Sequence, residues 1–180
     1  MNRATTRPLG LPCSKRWMEI TPHRKVALVN RPIFLDADTL GMIAHPKPNP
    51  DIAAWFKLIV GSGCEIIVAE VADYEIRRNF LLEGLKRSVD RLDELKEELT
   101  YLPLTTAHML KAAELWADSR RKGQPTCDPK ELDCDVILAA QALSVSAKAI
   151  VATHNIGHLG RFVDARDWPD ISAEDCTNSL

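Results

Sequence analysis

The chain has 180 residues, of which 46% are hydrophobic and 27% are charged, with a formal net charge of −2 at pH 7. This size and apolar content suit one globular domain with a single core. The acidic balance argues against broad electrostatic adhesion to nucleic acid, although carboxylates that hold cations would also count as negative here. Because no apolar run approaches the ~18 residues of a membrane span and no secretory signal follows the early arginines, we expect a cytoplasmic protein that does not contact membranes.

Residues 1–25 form a basic leader with three prolines and no apolar periodicity, which predicts disorder. The alternatives are an organelle transit peptide, an arm that touches nucleic acid, and a segment upstream of a true start at Met18. The globular domain is therefore expected over 26–180.

Strands and helices alternate from Val26 onward. Asn49-Pro50 is typical of a helix start, and Gly61 and Gly63 are typical of a helix end. The predicted strands cover 26–35, 65–69, 101–104 and 149–153, with the proline-containing third strand at an edge. The predicted helices cover 51–60, 71–82, 86–99, 105–122 and 136–143. This order predicts an α/β fold, a three-layer α/β/α arrangement around a mostly parallel sheet of four or five strands.

Acidic residues follow the first strand and begin two of the helices. The apolar run that ends at Leu35 leads directly into Asp36 and Asp38, which on their own could simply begin a turn. In a parallel sheet, however, the carboxyl ends of the strands and the helix starts share one edge. Glu75 and Asp135, near the starts of their helices, should therefore approach Asp36.

The two acids at the start of the 136–143 helix have different explanations. Asp133 is best explained as a helix cap. Asp135 directly precedes the apolar run 136–140, so a carboxylate entering that environment requires a cation or hydrogen-bond donors. A cluster of oxygen ligands selects Mg²⁺ or Mn²⁺, and such a site is typical of hydrolysis of a phosphodiester in nucleic acid.

Cysteine and histidine spacing gives weaker signals. The five cysteines are odd in number and contain no C-x-x-C, so we expect neither a disulfide framework nor a zinc knuckle, and a reducing compartment. His154 and His158 have a helical i, i+4 spacing that could clamp a metal. No further ligand accompanies them in a recognised arrangement.

Several segments together resemble the PIN domain, the nuclease fold of the VapC-type toxins, over about residues 33–162. The resemblance rests on the run 34–38 (Phe-Leu-Asp-Ala-Asp), the strand-to-helix step 69–75, the run 135–143 (Asp-Val-Ile-Leu-Ala-Ala-Gln-Ala-Leu), and the run 151–155 (Val-Ala-Thr-His-Asn). Each is weak alone, and their order and spacing are specific.

The resemblance implies a ribonuclease that uses Mg²⁺ or Mn²⁺, with Asp36, Glu75 and Asp135 as the metal-binding acids and Thr153 in support. It also implies an RNA substrate, a cognate antitoxin protein and a homodimer. Two positions depart from the family pattern. Asp38 replaces a more common asparagine and could add a ligand, as could Asp133, while Asn155 replaces a frequent fourth acid and makes a second metal less secure.

Basic residues and rival families complete the expectations. Candidate contacts to the RNA backbone are Arg77, Arg78, Arg120 and Arg121, although a solvated helix face explains them equally simply. The run 36–40 also resembles, with one residue out of place, the nucleophile loop of haloacid-dehalogenase-like phosphatases. A third alternative is a non-catalytic PIN-like module that binds RNA or protein, and Asn155 is its main support.

Overall fold

The computed structural model describes residues 31–177. The strands are β1 (Ile33–Leu35), β2 (Ile66–Ala69), β3 (Thr100–Leu102), β4 (Ile150–Ala152) and β5 (Asp164–Arg166). The helices are α1 (Ala37–Ile43), α2 (Pro50–Gly61), α3 (Glu70–Leu82), α4 (Lys86–Glu98), α5 (Thr106–Arg121), α6 (Cys134–Val145), α7 (Ile156–Leu159) and α8 (Ala173–Thr177), and a 3₁₀ turn spans Trp168–Asp170.

The five strands form one sheet in the order β3-β2-β1-β4-β5, and every neighbouring pair is parallel. The predicted α/β class, the parallel sheet and the edge position of β3 are therefore confirmed. In the register of the central strands, Leu35 lies beside Val68 and Ala152. Asp36 consequently leaves the sheet at the same edge as the ends of β2 and β4.

Helix packing follows the apolar content of each segment. All residues of β1, β2 and β4 are buried, since helices cover both faces of a parallel sheet. Helix α6 buries every residue from Val136 to Ala142, which fixes its N-terminal turn firmly at the edge of the sheet. The helix starts α1, α3 and α6 lie close together, because α3 packs against both of the others.

The structure differs from the predictions in two places, namely the segment that follows β1 and the last strand of the sheet. The predicted helices begin at residue 51, whereas α1 begins immediately after Asp36 and places Asp38 in its first turn. Strand β5 was not predicted because its sequence is Asp-Ala-Arg, which lacks an apolar pattern. It is stabilised instead by ion pairs of Asp164 with Arg31 and Arg166.

The cysteine expectation was also wrong for one pair. Cys64, before β2, and Cys176, in α8, form a disulfide with a Cα–Cα distance of 5.7 Å, whereas Cys127 and Cys134 are free thiols. The two partners are 112 residues apart, so their proximity is set by the tertiary fold and not by local spacing. The same C-terminal segment also packs on α2, where Trp55 donates its indole N–H to the Ile171 carbonyl at 2.9 Å.

Two expectations concern the chain as a whole. Within residues 31–177, no helix has the length and apolar content needed to cross a membrane. The expected basic leader over 1–25 lies outside the described residues.

Candidate active site

Asp36 follows β1 at the carboxyl edge of the sheet and is buried, with 8% of its surface exposed. Its Oδ1 accepts a hydrogen bond from the Ala37 N–H at 2.7 Å, so it caps α1. Its Oδ2 accepts the Thr153 hydroxyl at 2.6 Å. The hydroxyl of Thr153 in turn accepts the Asn155 N–H at 2.8 Å. Asp36 is thus held rigidly by β4, and Thr153 occupies the supporting position predicted for it.

Asp38, in the first turn of α1, contacts a histidine. Its Oδ2 lies 2.6 Å from Nδ1 of His154, and Nε2 of the same ring lies 3.3 Å from Oδ1 of Asp167. His154, which follows β4, therefore lies between the first turn of α1 and the segment after β5. Asp38 is hydrogen-bonded to His154 in this way, and its role as an extra metal ligand stays a prediction.

Asp135 lies in the first turn of α6 with about a fifth of its side chain exposed. Its Oδ2 accepts a hydrogen bond from Nδ2 of Asn155 at 2.9 Å and lies 3.3 Å from Nδ1 of His158. The donors that the burial of this acid requires are thus supplied by the segment after β4. Asn155 turns its amide nitrogen towards Asp135, so it acts on the cluster as a donor.

Glu75 projects from the second turn of α3 and is half-buried. Burial raises its pKa most, the negative charge of Asp36 raises it further, and hydrogen bonding with the Cys134 thiol and the charge of Arg78 lower it. The field of Asp36 therefore reaches α3, as the predicted convergence requires.

The same electrostatic coupling links Asp36 with Asp135. Burial raises the pKa of Asp135 to about 6, and the charges of Asp36 and Asp133 add to this, while His158 opposes it. The pKa of Asp36 is raised by burial against the lowering effect of its bonds to Thr153 and Ala37. Three carboxylates from three elements thus share one region in which ionisation is unfavourable.

The remaining acids nearby have structural roles. Asp133 caps α6 by accepting the Val136 N–H at 3.3 Å, as the sequence favoured, and it also accepts the Thr126 hydroxyl. Glu70, the first residue of α3, accepts the Leu104 N–H and so fixes the loop after β3. Asp73 is buried and ion-paired with Arg77 and Lys96, each at 2.9 Å.

The four arginines proposed to contact RNA have different surroundings in the structure. Arg77 pairs with two aspartates, and Arg120 stacks on Trp116 at 4.3 Å and donates to the Cys127 carbonyl at 2.6 Å, so both stabilise the fold. Arg121 pairs with Asp118 on the surface. Arg78 is exposed, lies 5.5 Å from the Tyr74 ring, and acts electrostatically on Glu75. Of the four arginines, Arg78 is therefore the one exposed beside Glu75.

Asp36, Glu75 and Asp135 affect one another electrostatically, but they do not meet at a common contact. Among residues 31–177, no three histidine, cysteine, aspartate or glutamate side chains are gathered closely enough to form a ready-made metal site. The spacing of the two histidines was visible in the sequence. Their roles were missed because their acidic partners lie at distant positions in the sequence.

No protein-family model matches the chain, and no curated protein matches its sequence significantly. Solved structures do match. The first is a chain of VapBC2 from Rickettsia felis bound to a promoter DNA fragment, at 15% identity and a TM-score of 0.62 over 76% of this chain and 98% of that one.

Two further structures give the same result. DNA-bound VapBC from Salmonella typhimurium matches at 20% identity and a TM-score of 0.60, over 77% of this chain and 98% of that one. FitAcB from Neisseria gonorrhoeae matches at 23% identity and a TM-score of 0.58, over 77% and 99%. The described domain therefore shares its fold with a chain of these VapBC and FitAB structures, which agrees with the PIN-like architecture suggested by the sequence.

Proposed function

We propose that this protein is a divalent-metal-dependent ribonuclease of the PIN type, with Asp36, Glu75 and Asp135 as the acids that hold Mg²⁺ or Mn²⁺. The observation that carries the proposal is the electrostatic coupling of these three side chains. They come from β1, α3 and α6, and the charge of Asp36 raises the pKa of both others. This repulsion between carboxylates destabilises the metal-free fold, whereas a cation bound among the three would relieve it.

The donor chemistry supports this cation. All three side chains offer carboxylate oxygens, which are the ligands that hard divalent ions prefer. Because the three acids are not gathered to common contact distance, binding would require rotation of the half-buried Glu75 and Asp135 towards the fixed Asp36. A bound divalent ion supplies acidification of water and neutralisation of charge on the phosphate.

The chain's own residues would orient that chemistry. Asp36 is held in one orientation by Thr153 and by the Ala37 N–H. Asn155 orients Asp135 through its 2.9 Å hydrogen bond. Arg78, exposed beside Glu75, supplies positive charge where the RNA backbone would approach. The arrangement supports binding of a phosphodiester over an acidic edge that is otherwise repulsive to nucleic acid.

A protein partner is the second part of the proposal. The similar solved structures are VapBC and FitAB complexes, and we infer by analogy that this chain is the toxin of such a pair. An apolar groove next to Asp38, lined by Gly41, Met42, Ile76 and Phe80, suits the apolar side chains of a cognate antitoxin segment. Copurification with the product of an adjacent reading frame would test this.

Self-association is proposed on the same grounds. Large apolar side chains are exposed at the end of α3 and on α5, namely Leu81, Leu82, Leu85, Met109 and Leu110. Exposed apolar side chains that lie together are typical of protein interfaces, and a homodimer would cover them. Sedimentation of the purified chain measures the mass directly.

Cleavage of RNA with Mg²⁺ or Mn²⁺ tests the proposed activity. Asp36→Asn, Glu75→Gln and Asp135→Asn should each lower the cleavage rate at least about 100-fold, because one electrostatic contact at a reacting phosphate or carbonyl is already worth that much. Chelation should abolish cleavage. Asp90→Asn, at an exposed position of α4, is the matched control.

The outcomes separate the alternatives. Undiminished cleavage by Asp36→Asn or Asp135→Asn would exclude this site. RNA binding without cleavage by the wild type would favour the non-catalytic module, which the asparagine at position 155 supports. Trapping of an aspartyl-phosphate at Asp36 with a fluoride analogue would instead indicate the phosphatase alternative.

A further inference from the structure

His154 and His158 lie beside the acidic cluster and have no place in the proposed function so far. They flank Asn155 between β4 and the end of α7, four residues apart. The sequence alone did not indicate an acidic partner for either histidine. The structure supplies a different one for each, because Asp38 faces His154 and Asp135 faces His158.

The two histidine contacts differ in length, and this separates their roles. The Nδ1 of His154 is 2.6 Å from the Asp38 carboxylate, which is the length of a short hydrogen bond. The Nδ1 of His158 is 3.3 Å from Asp135 and also 3.3 Å from Nδ2 of Asn155. A good charge-assisted hydrogen bond is about 2.7–2.9 Å, so the His158 contact is loose.

A separation of 3.3 Å suits two atoms that bind the same ion. With metal–ligand bonds of about 2.1 Å, two donors at this separation make an angle of about 100° at the metal, within the range of tetrahedral and octahedral sites. The separation at His154 would give only about 75° with the same bonds, which is too acute for separate ligands. Of the two histidines, His158 is therefore the one placed to share a cation with Asp135.

The remaining contacts agree with this division. Both ring nitrogens of His154 face carboxylates, those of Asp38 and Asp167, so the ring is held as a link between loops. His158 has one nitrogen towards Asp135, and its side chain is 41% exposed. It can adjust by the few tenths of an ångström that coordination requires, and its second nitrogen can bind water.

We propose that His158 is a nitrogen ligand for the divalent cation held by Asp135, and that it makes the site prefer Mn²⁺ over Mg²⁺. This inference rests on the proposed function, since it assumes that Asp135 binds a cation. Imidazole nitrogen is a ligand of transition metals, whereas Mg²⁺ prefers oxygen and releases its water reluctantly. Replacement of an oxygen or water ligand by His158 therefore favours Mn²⁺. His154 is a positioning residue for Asp38.

Pulsed electron paramagnetic resonance of the Mn²⁺-loaded full chain tests the ligand directly. A nitrogen bound to Mn²⁺ modulates the electron spin echo, which does not depend on catalysis. We expect this modulation in the wild type and in His154→Ala, and its loss in His158→Ala and His158→Gln. The glutamine variant keeps a polar side chain of similar length, and circular dichroism verifies that each variant is folded.

Titration calorimetry measures the preference itself. The ratio of Mg²⁺ to Mn²⁺ dissociation constants should fall at least about tenfold in both His158 variants, since loss of groups in or next to a metal's ligand shell typically weakens binding 10- to 100-fold. In His154→Ala the ratio of the two dissociation constants should change less than about twofold. His154 contacts Asp38 and Asp167, and it contacts none of the acids proposed to bind the metal.

Failure of this inference differs from failure of the proposed function. Mn²⁺ that binds the wild type, is lost in Asp135→Asn and shows no nitrogen modulation would overturn the role of His158 and leave the cation site intact. Modulation that persists in both His158 variants has the same meaning. A wild-type chain that binds no Mn²⁺ at all would overturn the cation site, and the role of His158 with it.

Discussion

Replacement of Asp135 by asparagine should stabilise the metal-free domain while it abolishes the proposed activity. The wild-type carboxylate is 21% exposed and stands in the field of Asp36 and Asp133. Asparagine has nearly the same shape and keeps an oxygen that can accept the Asn155 hydrogen bond. The substitution therefore removes an unfavourable charge at little structural cost.

The raised pKa of Asp135 sets the size of this effect. Its pKa moves from 3.8 to about 6 on folding, and each pKa unit corresponds to about 1.4 kcal/mol, so ionisation opposes folding by about 3 kcal/mol. The favourable interaction of His158 with the carboxylate is already included in this pKa, so we expect the variant to gain up to about 3 kcal/mol at pH 8.

The pH dependence follows from the direction of the shift. Between pH 3.8 and about 6 the folded wild type binds more protons at Asp135 than the unfolded chain does. Its stability therefore falls as the pH rises through this window. The penalty is absent below pH 3.8 and complete above pH 6, so the advantage of the variant should appear at pH 8 and vanish near pH 4.

Denaturant unfolding in chelator at pH 4 and pH 8 measures both quantities. The control is Asp90→Asn, which removes an exposed acid of α4 and should change stability by less than about 0.5 kcal/mol at either pH. A variant at position 135 that is no more stable than the wild type at pH 8, or that gains equally at pH 4, would refute the electrostatic reasoning.

Three further outcomes are expected. Mg²⁺ or Mn²⁺ at about 100 times its dissociation constant should stabilise the wild type by about 2.7 kcal/mol, and thermal unfolding should show no such gain for Asp135→Asn. Reduction of the disulfide, or Cys64→Ser, should lower stability by up to about 5 kcal/mol in the chain-entropy account, because Cys64 and Cys176 close a loop of 112 residues; an unchanged denaturation midpoint in reductant would contradict this. Asp73→Asn should lower stability by about 2–3 kcal/mol, since it leaves Arg77 and Lys96 without their buried partner, and a variant as stable as the wild type by denaturant unfolding would show that the ion pairs contribute nothing.

The arrangement of helices and strands was predictable because hydrophobic patterning and capping act locally. The Asn49 cap, the Thr105 cap and the apolar stretch of α6 are each encoded within a few residues. Strand β5 was not predictable in this way. Its polar residues form a strand by pairing with β4, and Asp164 there is ion-paired with Arg31 and Arg166, so the strand depends on residues far away in the sequence.

The candidate site shows the same division. The sequence placed Asp36, Glu75 and Asp135 at strand ends and helix starts, and parallel topology alone requires these to share an edge. It could not decide which acids are structural. That Glu70 binds the Leu104 N–H, and that Asp38 faces His154, are contacts between residues 34 and 116 positions apart.

By itself, then, the sequence determined the α/β class, the parallel sheet and the edge on which the acids lie, because these follow from local periodicity and the geometry of parallel strands. Only the tertiary structure decided the Cys64–Cys176 disulfide, the separate partners of the two histidines and the coupled charges of Asp36, Glu75 and Asp135. Each of these depends on distances between residues far apart in the chain, and electrostatic and hydrogen-bond energies change steeply with such distances.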